Sequence, residues 1–386
     1  MAQVKTQREE QNDVARTVAP LLKLLSPYSV YEPYEDMDYR VSKPTILKTV
    51  SDIEKLSLEG KFDSSDMFIL KAIDCLGYCY APAIHALLRF MRARDAADAA
   101  KKGRPRLIIP GFEDQAAFWE RLMYLCGKGL VVRHKFMPNP DWANAAAPEE
   151  NGKNSKPYRY FYHLTGIAAT MYKTRLQDFR IQYNPAMQML PEVEVFRQVS
   201  ASVLTGALLQ SPFVTDVKFN FKKQVQNGYK KEGISVLATF LVNMDGEKGD
   251  PNASTRLIVE SITMNTNQNT QTSESRLEWV HKRIGELSRL YREYTKDNIT
   301  RILMVVENFQ TLSHIRNEVF SVDPSMLSNI LFTTGSVLEK HKVVDHPSML
   351  QKSFIEFPLG SDGVQGRKPT GAVGYYFLRF GNEVKL

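Results

Sequence analysis

The side chains best placed to do chemistry in this sequence are cations. Lys101, Lys102, Arg104 and Arg106 share one six-residue run, KKGRPR, and Lys153, Lys156 and Arg159 crowd a second short stretch. Clusters of this kind neutralise phosphates and release counterions, so they point to holding a polyanion rather than to making or breaking bonds. Their position sharpens the point. Residues 61–180 hold 19 Lys and Arg against 12 Asp and Glu, an excess equal to the whole formal charge of +7, while the rest of the 386 residues balance at 31 of each sign.

Residues suited to other chemistries are scattered. The seven histidines form no HExxH motif, and only His341 and His346 lie close together. Cys75, Cys79 and Cys126 are an odd number without a CxxC pair, so buried free thiols are expected rather than a zinc site or a disulfide framework. GxxxxGK[ST], GxSxG and a GxGxxG after a strand are absent, which removes the phosphate-loop, hydrolase-elbow and dinucleotide classes. The makeup, 43% hydrophobic and 24% charged, suits two or three globular domains and not a disordered or fibrous chain. No run approaches the roughly 18 to 20 apolar residues of a membrane span. The opening MAQVKTQREEQNDVAR has no secretory core, so a cytoplasmic chain without membrane partners is expected.

The elements that must carry the cations follow from periodicity and punctuation. Residues 1–60, with the Tyr/Pro-rich YSVYEPYEDMDY, read as an arm or linker. A helix capped by Ser64 or Ser65 runs to a stop at Gly77, a second spans Pro82 to about Arg94, and a third starts near Glu113 and stops at Gly127 or Gly129. LVVRHKF and YRYFYHL then read as paired strands around an irregular tip from Pro138 to Pro157. Three helices closed by a hairpin place Gln115, Arg121, Tyr124 and Lys128 on the outward face of a recognition helix, with the two basic clusters at phosphates. Glu113 and Asp114 oppose this at the helix start, although they suit its dipole. A protein-interaction or dimerisation module with a solvated basic loop is the competing reading.

Beyond Leu190 the pattern becomes mixed α and β. Helices are expected at Glu192–Leu209, Ser273–Tyr294 and Leu312–Phe320. Strands are expected at Phe213–Phe219, Gly233–Val242, Arg256–Met264, Arg301–Val306 and Asn329–Thr334, with an edge strand in GAVGYYFLRF. The fold class is therefore α+β: a winged helix-turn-helix domain over 61–180, an α/β domain over 190–340, and a C-terminal extension over 341–386.

The segment RLMYLCGKGLVVRHK…YRYFYHLTGIAATMY resembles the winged-helix pattern, and the element order from 192 to 334 resembles the PD-(D/E)xK restriction-endonuclease-like core. Together, over about residues 60–335, they resemble the Replication-relaxation family and the MobC-type conjugative relaxases. The resemblance implies double-stranded DNA as partner, origin binding on a plasmid or other mobile element in replication or conjugation, and metal-dependent nicking. It places catalytic acids at Glu232, in Lys231-Glu232-Gly233, and Glu260, in Val259-Glu260-Ser261-Ile262, where they would hold Mg²⁺ or Mn²⁺. Glu194 and Asp216 could add ligands. The pattern's next acid or lysine is replaced by Ile262, which moves the basic role to Lys282 or Arg283 on the following helix and leaves a degenerate core as the expectation. A metal-dependent nickase and a non-catalytic scaffold stand as alternatives, with a homodimer or relaxosome and replication proteins as partners.

Overall fold

The computed structural model describes residues 49–103, 105, 114–135, 160–169, 192–243, 254–262, 273–296, 299–306, 309–340, 343–347, 350, 353–356 and 374–375. The fold is mixed α+β with a three-stranded and a seven-stranded sheet. Two compact units divide at Pro212 and Phe213. The expected boundary near 190 is thereby corrected, because the helix at 192 belongs to the first unit.

In the first unit, α1 (Val50–Leu58) lies inside the stretch read as an arm; Thr49 and Asp52 cap it reciprocally, and Ile53 is buried. The cap of α2 (Ser64–Leu76) is Asp63, not a serine: its carboxylate accepts from the N–H of Ser65 (2.7 Å) and Asp66 (3.2 Å), and Asp66 accepts from the Asp63 N–H (2.9 Å). After Gly77 comes β1 (Cys79–Tyr80), too short for any period to announce. Helix α3 (Ala81–Lys102) runs eight residues past the expected stop at Arg94. Its second half, ARDAADAAKK, has no apolar stripe but is rich in the strongest helix former, and it ends on Gly103 at a left-handed φ of 61°. Lys101 and Lys102 are thus a last helical turn, not a loop.

Helix α4 (Gln115–Gly127) starts on Asp114, whose side chain accepts from Ala116 N–H at 2.8 Å. Strands β2 (Val131–Lys135) and β3 (Tyr160–Leu164) pair antiparallel from Val131 opposite Leu164 to Lys135 opposite Tyr160, and β3 also pairs with β1, giving the order β1-β3-β2. Ile69, Leu70, Ile73, Leu87, Phe118 and Leu122 are buried here, each contributing roughly 1.5–3 kcal/mol of transfer free energy. Helix α5 (Glu192–Leu208) supplies the acceptors for the edge at β1: Tyr78 N–H donates to Gln198 Oε1 (3.0 Å) and Tyr80 N–H to Ser202 Oγ (3.3 Å). The N–H donors at this edge are in this way satisfied inside the unit.

In the second unit β4 (Val214–Asn227), β5 (Lys230–Asn243) and β6 (Ser254–Ile262) form an antiparallel meander, and β7 (Ile299–Val306) and β8 (Ile330–Thr334) continue it in parallel. Short β9 (Ile355–Glu356) and β10 (Gly374–Tyr375) complete the sheet. The crossovers α6 (Ser273–Tyr294), and α7 (Phe309–Val322) with α8 (Pro324–Leu327), each advance one strand in the same direction, so right-handed connection puts both on one face. Val280, Ile284 and Leu287 of α6 and Leu312, Ile315 and Val319 of α7 accordingly share a core with Ile258, Ile262, Met304 and Phe332. Helix α9 (Gly335–Lys340) follows β8. The hairpin of β4 and β5 is far longer than its apolar runs predict; it turns at Gly228 and Tyr229, with φ of 59° at Gly228 and none positive at Tyr229, the pattern of a type II′ turn.

Candidate nucleic-acid interface

Helix α4 buries Phe118, Leu122, Leu125 and Cys126 and turns Gln115, Ala116, Ala117 and Glu120 to solvent. Arg121 is not among the outward residues. Its Nε and Nη2 grip both oxygens of Asp66, which is fully buried on α2, and Nη2 also donates to the Lys61 carbonyl at 3.0 Å. Burial lifts the Asp66 carboxyl above its ordinary value, an effect opposed by the Arg121 guanidinium and the Asp63 N–H. Tyr124 also departs from the expectation. Its hydroxyl is buried with no partner among the described residues, and its ring lies under the Arg121 guanidinium (4.5 Å) and the Lys128 ammonium (5.3 Å).

Four of the expected contacts therefore remain on described surface: Lys101 and Lys102 exposed at the end of α3, Gln115 in the first turn of α4, and half-buried Lys128 at its C-cap. Arg104, Arg106, Lys153, Lys156 and Arg159 lie outside the described residues. The exposed face of α4 carries Glu120 and no free arginine, so what this helix offers a duplex is one amide and backbone, while the cations sit at the ends of the helices.

The acids of the second unit do not converge. Glu260 on β6 is fully buried; its Oε2 is gripped by Nη2 of Arg283 from α6, and its Oε1 accepts from the Ser261 N–H at 2.9 Å. Arg283 also donates to the Ser235 carbonyl and to Glu286 Oε2 (2.7 Å). Glu232 on β5 is held by Arg289 Nη2 at 2.9 Å and Asn227 Nδ2 at 3.0 Å. Strand pairing of β5 with β6 begins at Ala238 opposite Val259. Glu232 is thus about five residues, on the order of 17 Å, further along the sheet than Glu260. Asp216, opposite Leu241, is near the other end of the hairpin, and Lys282 is exposed on α6 beside the inward Arg283. Ile262 is buried in the core. Among the described residues no group of three or more His, Cys, Asp or Glu is arranged to hold a metal ion. The pair Glu232 and Glu260, placed together by the resemblance, is separated, and each already has a guanidinium where a cation would sit.

The three cysteines are free thiols. Burial pushes the Cys75 and Cys126 thiols up to about 12 and the Cys79 thiol well above its ordinary value, so none is a thiolate nucleophile. Among the described residues no helix is long and apolar enough to cross a membrane.

No family model matches the chain, and no curated protein matches it. A crystal structure of protein VC1899 from Vibrio cholerae aligns at 10% identity over 74% of this chain with a TM-score of 0.27, and the chain spans 56% of that protein's length. A likeness that weak carries no inference about fold or activity.

Proposed function

We propose that the chain is a DNA-binding protein whose first unit works as a winged helix and whose second, nuclease-like unit is an assembly platform without nuclease chemistry, acting at an origin on a plasmid or other mobile element. One observation carries the DNA-binding half: the order α2, β1, α3, α4, β2, β3 with β3 between β1 and β2 is the connectivity of winged-helix modules, in which α4 occupies the recognition position. The inward turn of Arg121 and Tyr124 favours a grip based on phosphates over base-specific reading, because the cations that remain exposed flank the helix rather than line it. The second half is supported by the Glu260–Arg283 pair, since a carboxylate neutralised in a buried ion pair is unavailable to a divalent cation, and by the distance along the sheet that separates Glu232, itself paired with Arg289, from Glu260.

Charge reversal tests the first half. Lys101→Glu with Lys102→Glu lowers duplex affinity and reduces the salt slope by about two. An unchanged slope in that variant contradicts the reading of the first unit.

A further inference from the structure

We infer that the hairpin of β4 and β5 is a second duplex-DNA contact, a basic two-stranded ribbon on the second unit, outside the segment 61–180 that carries an excess equal to the chain's whole net charge. The inference rests on the DNA-binding reading above but concerns residues that reading does not use. Pairing of β5 with β6 stops at Ala238, whereas pairing of β4 with β5 continues to Asn227 opposite Lys230. The distal part of the hairpin therefore runs beyond the sheet as a two-stranded ribbon backed on one face by α6. One face is spoken for: Val225, Ile234 and Val236 join the core with α6, Glu232 meets Arg289, and Lys223 lies over the Tyr294 ring at 4.4 Å.

The other face is polar and carries cations. Lys218, Lys222, Gln224 and Gln226 are exposed at alternate positions of β4, and Lys231 is exposed opposite Gln226. Gly233, opposite Gln224, leaves room for a long side chain to lie across the ribbon: a Cβ there would stand 2.2 Å from Lys222 Cε. Gly228 and Tyr229 form the tip, with Tyr229 fully exposed and Lys230 exposed beside it. The hairpin has two acids, of which Glu232 is turned to the inner face and Asp216 is at the end far from the tip.

Charge decides that the partner is a polyanion, and shape and side-chain type decide which one. A two-stranded ribbon fits the major groove of B-form DNA, roughly 12 Å wide, and not the deep, narrow one of A-form RNA. Lysines bind phosphates along the strands, and glutamine amides suit adenine edges in that groove. A membrane surface would instead call for apolar side chains among the lysines, and the outer face of β4 has amides in those places.

The test uses the full chain and Lys222→Glu with Lys231→Glu, titrated against a fluorescent random duplex across a salt series and against phosphatidylserine vesicles. Both lysines are exposed, so the unfolding midpoint stays that of the wild type and registers any misfolding. The expected result is a duplex affinity reduced by about tenfold or more near 0.1 M salt and a salt slope shallower by about two. Wild-type binding that the double variant leaves unaltered overturns the ribbon and spares the winged helix. No wild-type binding at any salt overturns both. Vesicle binding lost in the variant while duplex binding persists overturns DNA as the ribbon's partner.

Discussion

Arg283 and Glu260 form a buried ion pair between α6 and β6, and the same guanidinium holds the carbonyl of Ser235 on β5. One side chain thereby ties a crossover helix to two strands and fills the coordination sphere a catalytic acid would need. Removing one partner leaves the other charged in a low-dielectric site. We expect Arg283→Met to cost about 3–5 kcal/mol in urea unfolding, and Arg283→Met with Glu260→Met to recover most of it. A single variant as stable as the wild type would show that the pair does not hold the unit together.

The same pair predicts indifference to metal. A cation that bound the folded chain at Glu260 or Glu232 would raise its thermal midpoint by mass action. Millimolar Mg²⁺ or Mn²⁺ should leave that midpoint unchanged, and a rise abolished by Glu260→Gln would restore the acids as ligands.

Arg121 should behave as a structural residue. Because it clamps Asp66 through two donors and reaches the Lys61 carbonyl as well, Arg121→Ala should lose about 2–3 kcal/mol of stability. Arg121→Lys should rescue little of this, since an ammonium cannot reproduce the two-pronged geometry. Full stability with selectively weakened DNA binding in Arg121→Ala would return the residue to the interface.

His163 makes the first unit sensitive to acid. Burial lowers its pKa from 6.5 to about 4, while its ring stacks on Tyr78 at 4.4 Å and Nδ1–H donates to the Leu164 carbonyl at 2.8 Å. Between about pH 6.5 and pH 4 the unfolded chain takes up a proton that the folded one refuses, so stability falls as pH falls through that window, by up to about 3 kcal/mol. His163→Phe keeps a stacked ring and should flatten this part of the profile. An unchanged profile would locate the acid sensitivity elsewhere.

Gly77 should tolerate no side chain. Its backbone, φ 74° and ψ −124°, lies where only glycine is at ease, and an added Cβ would stand 2.2 Å from Gln198 Oε1, the acceptor for Tyr78 N–H. Gly77→Ala should destabilise by about 2–4 kcal/mol. Gly103→Ala is the comparison: with a left-handed φ of 61° and open space around it, it should cost only about 1 kcal/mol. Equal costs would mean that the contact with Gln198 contributes nothing.

Much of the architecture can be read from the sequence where one apolar stripe meets one clear stop. The α6 helix shows at Val280, Ile284 and Leu287, and the parallel strands show as RILMVV and NILFTT because both their faces are buried. Reading fails where stability comes from elsewhere. The second half of α3 rests on alanine propensity, β1 is two residues long, and the distal hairpin, KKQVQNGYKK, has one wet face, so its alternation is carried by Val225 and little else. Its Asn-Gly dipeptide was the signal that could have extended it. Site residues were legible by type but not by direction. Arg121 and Tyr124 sit on the expected helix, yet what turns Arg121 inward is Asp66, 55 residues away in sequence, and nothing local encodes that pairing.

Binding of the full chain to a fluorescent random duplex across a salt series, with and without Mn²⁺ and with the strands examined afterwards, tests the central claim most directly. The account predicts binding that weakens steeply with salt and leaves every strand intact. Absence of binding at any salt, or Mn²⁺-dependent cleavage that disappears with chelator and with Glu260→Ala, would contradict it.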